Sequence, residues 1–347
     1  MLARPLGVGL TPLETRRSVV LHVADRAEAL GYEAFFLAEG WGHDAGVLLA
    51  EVANRTNRIT IGTGIINIWG RTAASIAMLA ASLAEVSDDR FMLGLGAGSP
   101  PLAEGLHDVA FTDPIERLGV VTRQVRGLLS GERLGQTTER ANRPLKLAAP
   151  PRTPIPINLA ALGPSAVRLA GELADGWYPF LMPLSGLNAG IRLLEKGAAR
   201  GAAGRKIPTI APCIPTAVSD DPEMALDVAS WWVSFYLVSM GPLYRNTLRR
   251  LGHGPAVEEV LAANPTSRTF EVPPSARGLL DELTLWGDAE HAREALDHWY
   301  AAGAQMPTLT LPPGRSVDEL DYMLEALHPN NLSSTDGREV STGGPAL

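Results

Sequence analysis

The chain of 347 residues holds one cysteine, Cys213, which excludes an intrachain disulfide and any metal site built from several thiolates. No apolar run reaches the roughly 18 residues that a membrane-crossing helix needs. There is no Lys/Arg-rich block, and the formal net charge is −8, so nucleic acid and anionic membranes are poor partners. No charged-then-apolar leader opens the sequence, and the expectation is a cytoplasmic protein. His-Glu-x-x-His and His-x-His are absent, the seven histidines are scattered, and no metal site is expected. His291 and His298 stand seven apart on a charged helix face and read as surface. No Gly-x-Ser-x-Gly elbow occurs, which argues against a serine hydrolase of the common kind. No internal repeat is found either.

What is present is a strand–helix alternation in a chain that is 46% hydrophobic and 20% charged. Short apolar runs predict strands over Leu6–Leu10, Glu33–Ala38, Arg58–Ile65, Arg90–Leu95, Ile155–Ala160, Trp177–Leu181, Thr209–Val218 and Met306–Leu311. Helical periodicity fills the intervals. Thr11-Pro12-Leu13-Glu14 reads as a helix start, with a cap, a proline at the first helical position and a glutamate three residues on. Gly31 stops that helix. Further helices are expected over Asp44–Asn54, Thr72–Val86, Pro114–Leu129, Pro164–Ala174, Leu187–Ala203 and Asp288–Ala302, and Ser316-Val317-Asp318-Glu319 caps the last one. Glu132–Pro154 reads as a long loop.

Eight strands, each followed by a helix, favour an α/β fold of the (β/α)8 TIM-barrel type over a doubly wound sheet. A helical insertion after strand seven, about 222–285, carries Trp231, Trp232, Phe235, Tyr236 and Tyr244. That aromatic cluster reads as core or dimer contact rather than substrate cage. Residues 1–330 are expected to form one domain, with a disordered tail over 331–347. Seven tryptophans suit a homodimer with aromatic surface to cover.

Three polar motifs close predicted strands: Glu39-Gly40-Trp41-Gly42, Gly62-Thr63-Gly64-Ile65-Ile66-Asn67 and Gly94-Leu95-Gly96-Ala97-Gly98-Ser99. In a barrel all such ends share the face that bears the active site. The glycine run is not a dinucleotide fingerprint, because position 99 is Ser99 and two prolines follow. It reads either as a tight turn or as backbone lying close under a flat ring. Gly163-Pro164-Ser165 opens a helix whose free N–H groups can hold a phosphate, or is simply a well-capped start. Glu39 is either a group at the barrel mouth or an ion-pair partner. His107 lies in the loop after the fourth strand, where it is solvated or faces the catalytic side.

These motifs resemble the luciferase-like monooxygenases. The likeness runs through Ala38-Glu39-Gly40-Trp41-Gly42-His43-Asp44-Ala45, Arg55-Thr56-Asn57-Arg58-Ile59, Gly62-Thr63-Gly64-Ile65, Arg71-Thr72, Ser87-Asp88-Asp89-Arg90-Phe91 and Leu93-Gly94-Leu95-Gly96. Glu104-Gly105-Leu106-His107, Pro114 with Arg117, and Ala170-Gly171-Glu172-Leu173-Ala174-Asp175-Gly176-Trp177 are similar to the branch that uses the deazaflavin coenzyme F-420, related to methylene-tetrahydromethanopterin reductase. The resemblance spans roughly residues 6–330. It implies a usually dimeric barrel that passes a hydride between reduced coenzyme F-420 and a small organic acceptor. The alternatives are a monooxygenase using reduced FMN and dioxygen, and a cofactor-free binding barrel.

The resemblance also implies site residues. Gly64–Ile65 would be a non-prolyl cis bond or bulge behind the ring. Glu39, Ala97 and Gly98 would border the ring, Gly163 and Pro164 would hold the phosphate, and Glu39 and His107 would be the acid/base groups. Three departures stand out: Ser87-Asp88-Asp89-Arg90 where Ser-Gly-Gly-Arg is usual, Asp108 in place of glycine, and Val120 in place of glutamate.

Overall fold

The computed structural model describes residues 4–136, 142–266 and 269–329. Its strands are short and parallel: β1 Gly7–Leu10, β2 Ala34–Leu37, β3 Thr60–Thr63, β4 Ile66–Asn67, β5 Phe91–Gly96, β6 Ile157–Ala160, β7 Gly176–Trp177, β8 Thr209–Ile210, β9 Cys213–Val218, β10 Leu285–Gly287 and β11 Thr308–Leu311. β1 and β2 are buried along their whole length, as a strand covered on both faces must be. β1 lies between its neighbours, with Gly7 opposite both Ala34 and Thr308. From β1 the order runs through β2, β3, β5, β6 and β7 to β8.

β8 and β9 are one run broken at Ala211-Pro212. β8 pairs with β7, and β9 pairs with β11. Cys213 N also donates to Pro179 O at 2.8 Å, so the run closes the ring into a barrel. Pro212 has no N–H to give, which interrupts the ladder at that point.

Helices clothe the outside. Asp44 caps the helix Ala45–Arg55 by accepting from Gly46 N and Val47 N. Thr72 caps Ala73–Val86, and Ser316 and Glu319 form a reciprocal capping box on Val317–Ala326. Gly31 ends the first helix in the left-handed region, with φ 84°. A large apolar cluster fills the space between helices and sheet, while Ala34, Phe36, Tyr178, Ala211, Cys213 and Met306 pack inside the barrel. A further cluster around Trp232 and Val233 forms within the insertion.

Several expectations are corrected. The first helix is Arg17–Leu30, not one begun at Pro12. Glu14 is buried and accepts from Arg16 N, Arg16 Nε and Gly314 N, so it ties the turn after β1 to the turn after β11. Burial pushes the Glu14 carboxyl up, but the Arg16 guanidinium and the backbone donors outweigh it and hold the group below its ordinary value.

The sixth strand shrinks to Gly176–Trp177, and the following backbone turns through a positive φ of 54° at Leu181. The helix expected to Ala203 ends at Ala198. Pro100 and Pro101 open a short helix, Pro100–Gly105, because its first turn needs no backbone donors. The insertion comprises Pro222–Ser239, Pro242–Leu248, a π turn over Arg249–His253, Gly254–Ala263 and Gly278–Leu283. It is followed by β10, which pairs with β9 and was not expected. Within 132–154 the described residues form no helix or strand, while 137–141 and the tail 331–347 lie outside the described residues.

Candidate active site

A cavity of about 510 Å³ opens where the barrel strands end. Its wall is formed by the ends of β1, β2, β5 and β6, by the Gly64–Ile65 segment, and by the insertion. Glu39 and Arg250 are the charged residues on that wall. Most of the rest is apolar or aromatic, including Phe36, Phe111, Phe180, Tyr178, Tyr236 and Tyr244.

The peptide between Gly64 and Ile65 is cis. Gly64 N donates to Leu37 O at 2.9 Å, and Glu39 N donates to Ile65 O at 3.0 Å, so this segment is stitched to the end of β2. The glycines of β5 serve this same segment. A Cβ on Gly94 would lie 2.0 Å from Thr63 O, and one on Gly96 would lie 2.9 Å from the Ile65 side chain. Their room is therefore taken by the β3–β4 backbone and by Ile65, while Gly96, Ala97 and Gly98 still line the cavity.

Glu39 lines the cavity, yet its carboxylate is fully engaged. Arg71 Nε and Nη2 donate to it at 3.1 and 2.9 Å, and Ala45 N donates at 3.1 Å. Arg71 Nη2 also reaches Asp44 Oδ2 at 2.6 Å. The Glu39 hydrogen bond, countered in part by burial, holds the Arg71 guanidinium all the more firmly protonated. Burial raises the Asp44 carboxyl, but the Arg71 guanidinium together with the Val47 and Gly46 amides outweighs it, and the net direction is down. The ion-pair reading of Glu39 is the one seen.

His107 is outside the cavity lining. Its ring packs over Gly70, where a Cβ would come within 2.5 Å of it, and its Nε2 lies 3.2 Å from Asn67 Nδ2. Asn67 is buried and accepts from Trp69 N and Gly70 N, both at 2.9 Å. Trp69 Nε1 in turn donates to Ala97 O at 2.6 Å. His107 thus stands behind the segment that carries Ala97.

Gly163 lines the cavity, and a Cβ there would meet nothing within 4 Å. Pro164 does not line it, but it starts the helix Pro164–Leu173, whose first-turn residue Ala166 does. Beside this helix start, Arg250 Nη2 donates to Leu162 O at 2.9 Å. No carboxylate lies within ion-pair distance of Arg250 among the described residues, and partial burial alone pulls its pKa down. Two hydroxyls on residues of the wall, Thr11 Oγ1 and Thr247 Oγ1, are buried without a hydrogen-bond partner.

Sequence reasoning missed Thr11, Tyr178, Tyr236, Tyr244, Thr247 and Arg250 as wall residues. Thr11 had been assigned to a helix cap. Tyr236 and Tyr244 belonged to a cluster read as core or dimer contact, and the structure sends them into the cavity instead. Their only local signal is position, on an insertion that follows a barrel strand.

The departures find a backbone explanation. Asp88, Asp89 and Asp108 adopt positive φ of 51°, 62° and 53°, the region where glycine is usual and aspartate is tolerated. Val120 is half-buried and does not line the cavity, whereas Ile115 and Leu118 of the same helix do. Among the described residues, no group of three or more His, Cys, Asp or Glu is placed to hold a metal, and no helix is long and apolar enough to cross a membrane.

The class is that of a parallel (β/α) barrel with a mostly apolar cavity at its strand ends and Gly163, at a helix start, on its wall. The chain belongs to the luciferase-like monooxygenase family, whose profile matches residues 7–306. It is 31% identical over 317 residues to a protein of Mycobacterium tuberculosis named as a coenzyme F-420-dependent oxidoreductase, covering 85% of this chain and 91% of that one. The fold is similar to that of the coenzyme F-420-dependent tetrahydromethanopterin reductase of Methanopyrus kandleri, with a TM-score of 0.76 at 18% identity over 94% and 99% of the two chains. It is also similar to the oxygenating constituent of 3,6-diketocamphane monooxygenase of Pseudomonas putida in complex with FMN, with a TM-score of 0.69 at 17% identity over 94% and 97%.

Proposed function

We propose that this chain is an oxidoreductase that binds coenzyme F-420 in the barrel-mouth cavity and passes a hydride between the reduced cofactor and a small organic acceptor. The observation that carries this reading is the cavity itself. It is mostly apolar, is lined by Gly64, Ile65, Ala97 and Gly98, and includes a helix start at Gly163 and an arginine that faces no carboxylate among the described residues. The relatives support the choice of cofactor.

The residues fit such a group. Gly64, Ile65, Ala97 and Gly98 would border the ring. Gly163, the amides after Pro164 and the Arg250 guanidinium would hold the phosphate. The unpartnered hydroxyls of Thr11 and Thr247 offer donors to a polar edge or tail. When bound, a reduced deazaflavin supplies a hydride from its C5. The apolar walls exclude water and keep the acceptor over the ring. Glu39, held by Arg71 and Ala45 N, orients the β2 end rather than moving a proton. His107 buttresses Asn67. Residues 1–330 are taken to work as one domain of a cytoplasmic homodimer, in which the stacked, half-buried Trp231 and Phe235 supply aromatic surface to cover.

A second reading, an FMN-dependent monooxygenase, is favoured by the similar fold of a monooxygenase constituent solved with FMN. Titrating F-420 and FMN into the same apo sample by fluorescence quenching separates the two. Tighter F-420 binding is expected, and tighter FMN binding would reverse the choice. Gly163→Asp puts a carboxylate into open space at the phosphate end, and should weaken either phosphorylated cofactor by roughly tenfold or more while leaving the fold intact. Light scattering at micromolar concentration should give twice the 36.9 kDa chain mass.

A further inference from the structure

With Glu39 tied into an ion pair and His107 behind the wall, the expected acid/base groups do not present a free proton to the cavity. Besides Thr11 and Thr247, two phenols on the insertion do. Tyr236 is 6% exposed and Tyr244 half-buried; both line the cavity, and neither phenol makes a hydrogen bond to any described residue. The two phenols have no partner among the described residues and belong to the cavity wall, so a polar group of a ligand in the cavity can pair with them.

The rings are positioned firmly by their carbon faces. Tyr236 and Tyr244 meet edge-to-face, with centroids 5.4 Å apart, and Phe180 at the barrel rim packs edge-on against Tyr236 at 4.8 Å and Tyr244 at 6.1 Å. Trp232 stacks on Tyr236 from the insertion side at 5.9 Å. The phenols therefore have fixed places above the end of the barrel and no competing acceptor in the protein.

We propose that the Tyr236–Tyr244 pair is the hydrogen-bond and proton donor to the acceptor, and that the acceptor is a neutral carbonyl compound, a ketone, aldehyde or enone, flanked by apolar groups. The class follows from the wall. Among the described residues Arg250 is the one cation on it and is engaged at the helix-start end, while the phenols pack against Phe180 and share their wall with Met240, Leu243, Asn246, Thr247 and the Cys213 thiol, all of them neutral, which suits a neutral acceptor. Burial pushes both phenols up, which keeps them protonated and donating across the working pH range.

A bound reduced deazaflavin would supply a hydride, and with it two electrons, to the carbonyl carbon of a ketone or aldehyde or to the β-carbon of an enone. In either case the carbonyl π pair moves to oxygen, and one phenol of the pair transfers its proton to that oxygen. The ketone or aldehyde becomes the alcohol, and the enone becomes the saturated ketone through its enol. The phenolate regains its proton from water. A phenol of high pKa is still acidic enough to protonate the more basic alkoxide. This inference rests on the proposed oxidoreductase reading and adds the donor and the substrate class.

The test uses the full chain and 2-cyclohexen-1-one labelled with carbon-13 at the carbonyl. In the wild type the bound carbonyl stretch should lie below its position in an apolar solvent, as infrared difference spectroscopy reads it. Tyr236→Phe and Tyr244→Phe should each relax part of that shift, and the double variant should remove it. These changes keep the rings and delete only unbonded hydroxyls, so the fold should be retained. With reduced F-420 bound, the double variant should lose roughly 100-fold or more in kcat at unchanged cofactor affinity. No ketone binding by the wild type, an unshifted band in the wild type, the same band in the double variant, or a kcat within twofold of wild type would each overturn the proposal. Should the wild type fail to bind F-420 while the double variant still abolishes the carbonyl shift, the cofactor reading falls and the donor pair stands.

Discussion

On the β2 side of the cavity mouth, Arg71 donates to Glu39 and Asp44, Ala45 N donates to Glu39, and Glu14 collects Arg16 and Gly314 N. Across the cavity, on the insertion, Tyr236, Tyr244 and Thr247 end in hydroxyls without partners among the described residues, and Arg250 faces no carboxylate among them. Apart from the Thr11 hydroxyl, the first rim has its polar side chains paired internally, and the second is open. Saturated networks hold shape, because breaking one leaves a desolvated charge. Open hydroxyls contribute little to stability in the absence of a ligand and wait for a partner. The proposal of a tyrosine donor pair follows this contrast, and puts on the second rim the proton transfer that the sequence reading gave to Glu39 and His107.

This contrast can be broken at the saturated rim. Arg71→Met should have the largest effect, leaving Glu39 and Asp44 without their cation and costing about 3 kcal/mol, as for removal of one partner from a partly buried ion pair. Chemical denaturation would read it. A loss of cofactor affinity without a loss of stability would instead move the rim into the binding machinery.

Glu14→Gln comes next, at about 1–2 kcal/mol near neutral pH, since a charge-assisted bond becomes a neutral one. Its sign with pH is definite. The folded carboxyl titrates below its ordinary value of 4.5, so its contribution is complete above that pH and is lost as pH falls through the folded value. The wild type should lose stability more steeply than the variant below about pH 4.5, as thermal melts over pH 3–6 would show. Parallel curves would exclude the role.

His107→Ala should be the mildest, about 1 kcal/mol from the lost Asn67 contact, with turnover close to wild type. A hundredfold fall in kcat at unchanged stability would return His107 to the reaction and weaken the contrast between the rims.

Much of the architecture was legible. The strand runs, the Gly31 stop, the Asp44 and Thr72 caps and the Ser316–Glu319 box are short-range signals, each decided within four or five residues. The helix Pro114–Leu129 has the expected ends. Misreadings occurred where a local signal had a distant competitor. Thr11-Pro12-Leu13-Glu14 carries the pattern of a helix start, but Gly314 and Arg16 claim Glu14, and the helix waits until Arg17. The glycines of β5 suggested room for a ring, yet Thr63 and Ile65, about thirty positions earlier in the chain, fill that room.

The sequence by itself determined that this is a parallel barrel with its polar motifs at one end, because strand burial and helix capping are written in local composition and spacing. Of the residues that the family resemblance singled out, Glu39, Gly64, Ile65, Ala97, Gly98 and Gly163 line the cavity, and Pro164 and His107 do not. Only the tertiary structure decided which polar groups are already satisfied. Arg71 reaches back 32 residues to Glu39, while Tyr236 and Tyr244 line the cavity from an insertion and meet no acceptor among the described residues. The hydrogen-bond partner of a side chain is a property of three-dimensional neighbours, and no spacing along the chain encodes it.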